Sequence, residues 1–149
     1  MRAVIQRVSE AKVEIDGKIN GEIGKGFLVL IAVHNDDEIS DIDYMVNKIS
    51  KLRVFEDDEG KMNLSLTDIG GELLIVSQFT LYGDSRKGNR PSFIHSAKPP
   101  KSVEYYEEFL KKMRETGLKV ETGEFGADMK VSLINDGPVT IQLDSSKMY

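Results

Sequence analysis

Ser77-Gln78-Phe79-Thr80-Leu81 sets two hydroxyls and an amide within four residues of one another. Ser77 and Thr80 are candidate nucleophiles or binding groups. A hydroxyl attacks a carbonyl only with a base beside it, and neither histidine nor carboxylate adjoins this segment in sequence. His95 would have to fold back to serve. Taken alone, the pentapeptide also reads as the polar end of a strand. A second segment, Asn135-Asp136-Gly137-Pro138-Val139-Thr140, reads as a turn, because its first four residue types all favour turn backbone. A cis Gly137-Pro138 bond would instead give a fixed, directional pair of carbonyls able to shape a pocket. A third segment, Arg86-Lys87-Gly88-Asn89-Arg90-Pro91-Ser92-Phe93, combines cations with an aromatic ring, as contact with a phosphate and a stacked base requires. A solvated charged loop has the same composition. Phe125 and Met129 suit a core as readily as a pocket wall, and His34 is assigned no function.

The rest of the composition narrows the chemistry. There is no cysteine, and His34 and His95 are the two histidines, so thiolate chemistry is excluded and no ligand spacing suggests a metal. No metal and no cofactor is expected. The formal net charge of -5 disfavours a general polyanion binder, so DNA is not an expected partner. Local charge differs: between Tyr82 and Lys101 lie Arg86, Lys87, Arg90, Lys98 and Lys101 against Asp84. The acidic excess sits elsewhere, as in Glu56-Asp57-Asp58-Glu59. The longest apolar stretch, Phe27 to Val33, is too short to span a bilayer, and the opening residues lack a signal-peptide pattern. A cytoplasmic protein without membrane contact is expected.

The elements that must position these segments follow from periodicity. Val4 to Ile15 is extended and turns through Asp16-Gly17 into a second strand, Lys18 to Ile23. Phe27 to Val33 is continuously apolar, which predicts a central strand covered on both faces. Ile39, Ile42, Val46, Ile49 and Leu52 mark one face of a helix that begins after Asp36-Asp37-Glu38 and ends near Lys51. Arg53 to Phe55 is a short strand. Glu72 to Phe79 is a buried strand whose end carries the Ser77 pentapeptide, where a rigid sheet can hold reactive groups beside an open loop. Tyr82 to Lys101 has no periodicity and three of the four prolines, predicting a long loop. Ser102 is the expected N-cap of a second helix, with Val103, Tyr106, Phe109, Leu110 and Met113 on its apolar face and Gly117 as its stop. Leu118 to Thr122, Lys130 to Ile134 and Thr140 to Leu143 are strands, the last two joined through Asn135 to Pro138. One mixed, strand-rich α/β domain over residues 1–149 with two helices is expected.

Together, Gln6-Arg7-Val8, Ser77 to Leu81, Gly83 to Phe93, Phe125-Gly126-Ala127-Asp128-Met129 and Asn135 to Thr140 make the chain resemble the D-aminoacyl-tRNA deacylases over nearly its whole length. The resemblance implies mixed and antiparallel sheets in a barrel-like core, in a cytoplasmic homodimer with its active sites at the subunit interface. It implies hydrolysis of the ester joining a D-amino acid, or mischarged glycine, to tRNA. Ser77, Gln78, Phe79 and Thr80 would line the catalytic pocket. Gly137 and Pro138, joined by a cis bond, would enter the partner's pocket and exclude an L side chain. Phe125 and Met129 would be pocket walls, Arg7 would buttress the proline turn, and Arg86, Lys87 and Arg90 would be candidates to touch tRNA. With no protein base at hand, the resemblance leaves two mechanisms open: water assisted by the ribose 2′-hydroxyl with a backbone oxyanion hole, or attack by Thr80. A hydrolase of small D-amino-acid esters or amides, and a module that binds tRNA ends without catalysis, are the alternative readings.

Overall fold

A computed structural model describes all residues, Met1–Tyr149. The first strand, β1 (Arg2–Ile15), organises the sheet because it is long enough to serve three neighbours. Its first half pairs antiparallel with β3 (Gly26–Ala32), its second half with β2 (Lys18–Ile23), and its other edge with β8 (Lys130–Asp144). The β1–β2 turn holds Asp16 and Gly17 at φ 51° and 75°, the left-handed backbone that Asp-Gly accepts readily. β3 then pairs in parallel with β6 (Glu72–Ser77), and β6 with β7 (Lys119–Thr122). The sheet curls until β2 approaches β7: Asn20 Nδ2 donates to the Thr122 carbonyl at 2.7 Å, and a Cβ at Gly21 would lie 2.8 Å from that same oxygen. The result is a nearly closed, barrel-like sheet.

The apolar run of β3 is buried on both faces, as its sequence predicts. Phe27, Val29 and Ile31 join one core with Leu73 and Ile75 of β6, whereas Leu28 joins a second core with Leu74 and Val76. Alternation along each strand sends neighbours to opposite faces. The first core lies under helices α1 (Ile39–Lys51) and α3 (Lys101–Glu115), each within a crossover between parallel strands. Ile42 and Ile49 of the expected α1 face are buried, Met45 joins them, and Ile39 is exposed.

Several boundaries differ from expectation for local reasons. Helix α3 starts before Ser102, with Pro100 at its N-cap position in near-helical backbone (φ -81°, ψ -20°). Pro100 has its φ fixed near the helical value, and the Ser102 N–H bonds the Lys98 carbonyl at 3.2 Å, so backbone takes one first-turn donor that a polar cap would otherwise serve. Ser102 is instead buried within the first turn. The strand expected to reach Phe79 stops at Ser77, and Phe79–Tyr82 forms a 3₁₀ turn. The two strands expected from Lys130 onward are one strand, β8, because β1 pairs with both parts. Gln6 opposes Thr140 and Val8 opposes Asn135, so the residues between them on β8 stand out as a bulge. The short strand after α1 is β4 (Phe55–Glu56), paired with β5 (Met62–Leu64). A third, short helix, α2 (Leu66–Ile69), is capped by Ser65 and Asp68 and ends at Gly70 with φ 62°.

Candidate active site

β6 delivers Ser77 to the rim of the sheet, where the Gln78 N–H still bonds the Ile31 carbonyl at 2.8 Å before the chain turns. The 3₁₀ turn then lifts Phe79 and Thr80 into the open; Phe79 is 54% exposed despite its apolar ring. Gln78 Nε2 donates to Thr80 Oγ1 at 2.5 Å. The Phe79 ring meets Phe93 edge-on at 5.1 Å, which ties the catalytic-candidate turn to the long loop. That loop is anchored rather than free. Asp84 and Ser92 exchange backbone bonds at 2.8 and 2.9 Å, and the Ala97 N–H bonds the Val33 carbonyl at 2.8 Å.

Behind Phe79 lies a cavity of about 240 Å³, to which Ser77, Ser96, Ala97, Lys98, Tyr106 and Phe125 contribute. No histidine, aspartate or glutamate lines it. Burial pushes the Tyr106 phenol well above its ordinary range, so it stays neutral and donates to the Ile75 carbonyl at 3.1 Å. Tyr106 and Phe125 rings lie 5.9 Å apart in this wall. Three sequence-derived candidates, Ser77, Phe79 and Phe125, therefore share one cavity, with Gln78 and Thr80 on the adjoining turn. Met129 does not line it; it packs at the edge of the second core, and a Cβ at Gly123 would collide with its sulfur.

A larger, polar cleft of about 720 Å³ is lined by Tyr82, the last residue of the 3₁₀ turn, with His34, His95 and several paired charges. His95 does not fold back to Ser77: its ring stacks on His34, with centroids 5.8 Å apart. The charges there already have partners, as Arg2 has in Asp144 at 2.9 Å and Arg86 has in Asp84 at 2.7 Å. The smaller cavity carries the chemistry-bearing segment, so it is the better candidate. Hydrogen bonding from the Arg86 guanidinium also holds the Asp84 carboxyl well below the usual range. Of the three expected tRNA contacts, Lys87 and Arg90 are exposed and form no salt bridge, whereas Arg86 is committed to Asp84.

Gly137 and Pro138 lie on the exposed β8 bulge, joined by a cis bond, and neither lines the cavity of their own chain. Arg7, on β1, is 7% exposed and anchors this bulge through the Asp136 carbonyl. Gly137 has φ 129°, and a Cβ there would meet Arg7 Nη2 at 2.9 Å, so both backbone and space favour glycine. Ser96, Lys98 and Ser102 also line the cavity, and nothing in the sequence points to them. They fall in or beside a loop without periodicity, and no local pattern marks them as cavity wall.

A family model described as D-Tyr-tRNA(Tyr) deacylase matches residues 4–144. The chain is 60% identical over 149 residues to a D-aminoacyl-tRNA deacylase of Clostridioides difficile and 62% identical over 149 residues to one of Thermosipho africanus, covering 100% of both chains in each case. Among solved structures, c-Myc DNA unwinding element binding protein superposes with a TM-score of 0.91 at 42% identity, over 97% of this chain and 98% of the other. A probable eukaryotic D-amino acid tRNA deacylase superposes with a TM-score of 0.82 at 20% identity, over 95% and 97% of the two chains, a likeness of fold.

Proposed function

The chain belongs to the D-Tyr-tRNA(Tyr) deacylase family, and from that premise we infer that it is an enzyme hydrolysing the ester between a D-amino acid and the terminal ribose of tRNA. The products are the free D-amino acid and tRNA. The observation that carries this reading is the meeting of Ser77 and Phe79 in one apolar cavity beside Gln78 and Thr80. DNA stays outside the proposal, because a net charge of -5 offers little to neutralise an extended phosphate backbone.

The mechanism follows from what the cavity lacks. No side chain lining it can take a proton from water or from Thr80 at neutral pH. The Gln78 amide donates to Thr80 Oγ1 and cannot act as a base. The ribose 2′-hydroxyl next to the ester therefore orients and activates the attacking water. The N–H groups of Phe79 and Thr80 open the 3₁₀ turn and have no partner within it, so they are suited to stabilise the developing oxyanion.

Handedness is judged by a second chain. In a homodimer the Gly137-Pro138 bulge, held by Arg7, enters the partner's cavity and presents its carbonyls where an L side chain would point. A D side chain points away, and glycine has none to exclude, so glycine mischarged onto alanine tRNA is also a substrate. Phe125 forms a wall, and Met129 packs against Gly123, two residues before it. Lys87 and Arg90, with a lesser part for Arg86, hold the tRNA backbone in the cytoplasm, where translation supplies the substrate. Incubation with D-aminoacyl-tRNA and measurement of released amino acid tests the activity: turnover is expected, and its absence overturns the assignment.

A further inference from the structure

Strand β7 stops before β6 does. Thr122, its last residue, opposes Ile75, and beyond that point Val76 and Ser77 pair with Leu30 and Ile31 of β3 alone. The Gly123 N–H bonds the Ile75 carbonyl at 3.2 Å as the chain leaves the sheet toward Phe125. The cavity behind Phe79 opens beside this one-sided strand end, with Ser77, Phe125 and Gly126 in its wall. Tyr106 of α3 also lines it, and its hydroxyl donates to the same Ile75 carbonyl at 3.1 Å. The residue is 3% exposed, and its ring lies 5.9 Å from that of Phe125. One side chain therefore meets both the strand that delivers Ser77 and the segment that carries Phe125. The Ile75 carbonyl already has Gly123 as a donor, so the backbone does not need the hydroxyl to be satisfied. What the hydroxyl adds is a fixed tie between helix and strand end.

We propose that Tyr106 is a positioning residue for hydrolysis, holding the end of β6 so that the Phe79 and Thr80 N–H groups stay aimed at the ester carbonyl. The inference rests on the deacylase reading above and on the oxyanion role given there to those two groups. From Ile75 the chain runs through Val76 and Ser77 to Gln78, whose N–H bonds the Ile31 carbonyl at 2.8 Å. The last strand residues are thus tied to β3 on one edge and, through Ile75, to Tyr106 on the other, immediately before the 3₁₀ turn. Donors aimed at a developing charge act only when their geometry is fixed in advance, and a small displacement at the reacting centre is costly. A role in judging handedness fits less well. The Gly137-Pro138 bulge belongs to β8 and is held by Arg7, not by α3. Tyr106 acts on the rate and leaves the choice between D and L esters to the bulge.

The test is Tyr106→Phe in the full chain, which keeps the ring and removes the donor, with kcat and KM on D-aminoacyl-, glycyl- and L-aminoacyl-tRNA and thermal unfolding alongside. The kcat on D-aminoacyl- and glycyl-tRNA is expected to fall together, about five- to twentyfold, while KM and the ratio of D to L hydrolysis each stay within about twofold. Para-aminophenylalanine in place of Tyr106 restores a donor of the same size and should recover most of the rate. Para-fluorophenylalanine at that position fills the space without donating and should lose as much as Tyr106→Phe, which keeps the test decisive if the simpler variant does not fold. A Tm that falls while kcat holds would make the tie structural only and overturn the assignment. So would a raised KM at constant kcat, a shifted ratio of D to L hydrolysis, or no recovery with the aryl amine. If the wild type hydrolyses D-aminoacyl-tRNA and Tyr106→Phe equals it, the role of Tyr106 alone fails. If the wild type hydrolyses none, the deacylase reading fails and takes this inference with it.

Discussion

Arg7 Nε donates to the Asp136 carbonyl at 2.9 Å while Arg7 Nη1 donates to the Val54 carbonyl at 2.6 Å, so one buried guanidinium joins β1, the approach to β4 and the Gly137-Pro138 bulge. No carboxylate pairs with it; backbone carbonyls alone accept its bonds. Arg7→Ala leaves both carbonyls without these donors and opens a gap, and is expected to cost about 2–4 kcal/mol in urea unfolding. Arg7→Lys cannot reproduce the planar fork and should recover only part of that loss. With the bulge released, the ratio of L to D hydrolysis should rise about tenfold, equivalent to about 1.4 kcal/mol of lost discrimination. A folded Arg7→Lys enzyme with unaltered selectivity would contradict the role given to Arg7.

Thr80 distinguishes the two hydrolytic mechanisms. Its oxygen accepts from Gln78 and has no base beside it. Thr80→Ala should therefore keep kcat within about tenfold, since loss of a true nucleophile costs several orders of magnitude. D-aminoacyl-tRNA ending in 2′-deoxyadenosine should be hydrolysed at background rate. Single-turnover assays of the two cases settle which hydroxyl matters.

What the sequence makes legible follows from how far each determinant reaches. The double-sided burial of β3 is written in an unbroken run from Phe27, and the Asp16-Gly17 hairpin in two adjacent residues. The unity of β8 is not, because Asn135 to Pro138 carry turn chemistry and only pairing with distant Gln6 and Val8 makes them a bulge. The start of α3 is not legible either, because Ser102 has the residue type of a cap while its own N–H, already inside the helix, bonds the Lys98 carbonyl. Ser77 to Thr80 and Gly137-Pro138 were legible as motifs. Ser96 and Ser102 were not, since a cavity wall assembled from a loop and a helix depends on every neighbour at once.

Salt dependence tests the basic loop. Lys87 and Arg90 are free to meet phosphates, whereas Arg86 must first leave Asp84. Lys87→Ala and Arg90→Ala should each raise KM about two- to fivefold and lower the slope of log KM against log salt by about one. Arg86→Ala should do less. Kinetics between about 50 and about 200 mM salt provide the slope.

Asp144 sets part of the acid sensitivity. It is 3% exposed; burial raises its pKa, but hydrogen bonds from Ser146 and Arg2 outweigh burial and leave it lowered. A carboxyl depressed in the folded state stabilises fully above its unfolded pKa of about 3.9 and loses that contribution as pH falls through the folded value. Urea midpoints of the wild type should fall through this acid window more steeply than those of Asp144→Asn. At pH 7 the substitution should cost about 1–3 kcal/mol. Parallel pH profiles for the two proteins would contradict the assignment.

The most direct measurement is a side-by-side rate of hydrolysis for D-aminoacyl-, glycyl- and L-aminoacyl-tRNA carrying the same tRNA body, under single-turnover conditions. Rapid release from the D and glycyl esters is expected, with the L ester slower by about a hundredfold or more, a difference of about 2.7 kcal/mol. Equal rates on D and L esters, or no hydrolysis of either, would contradict the account.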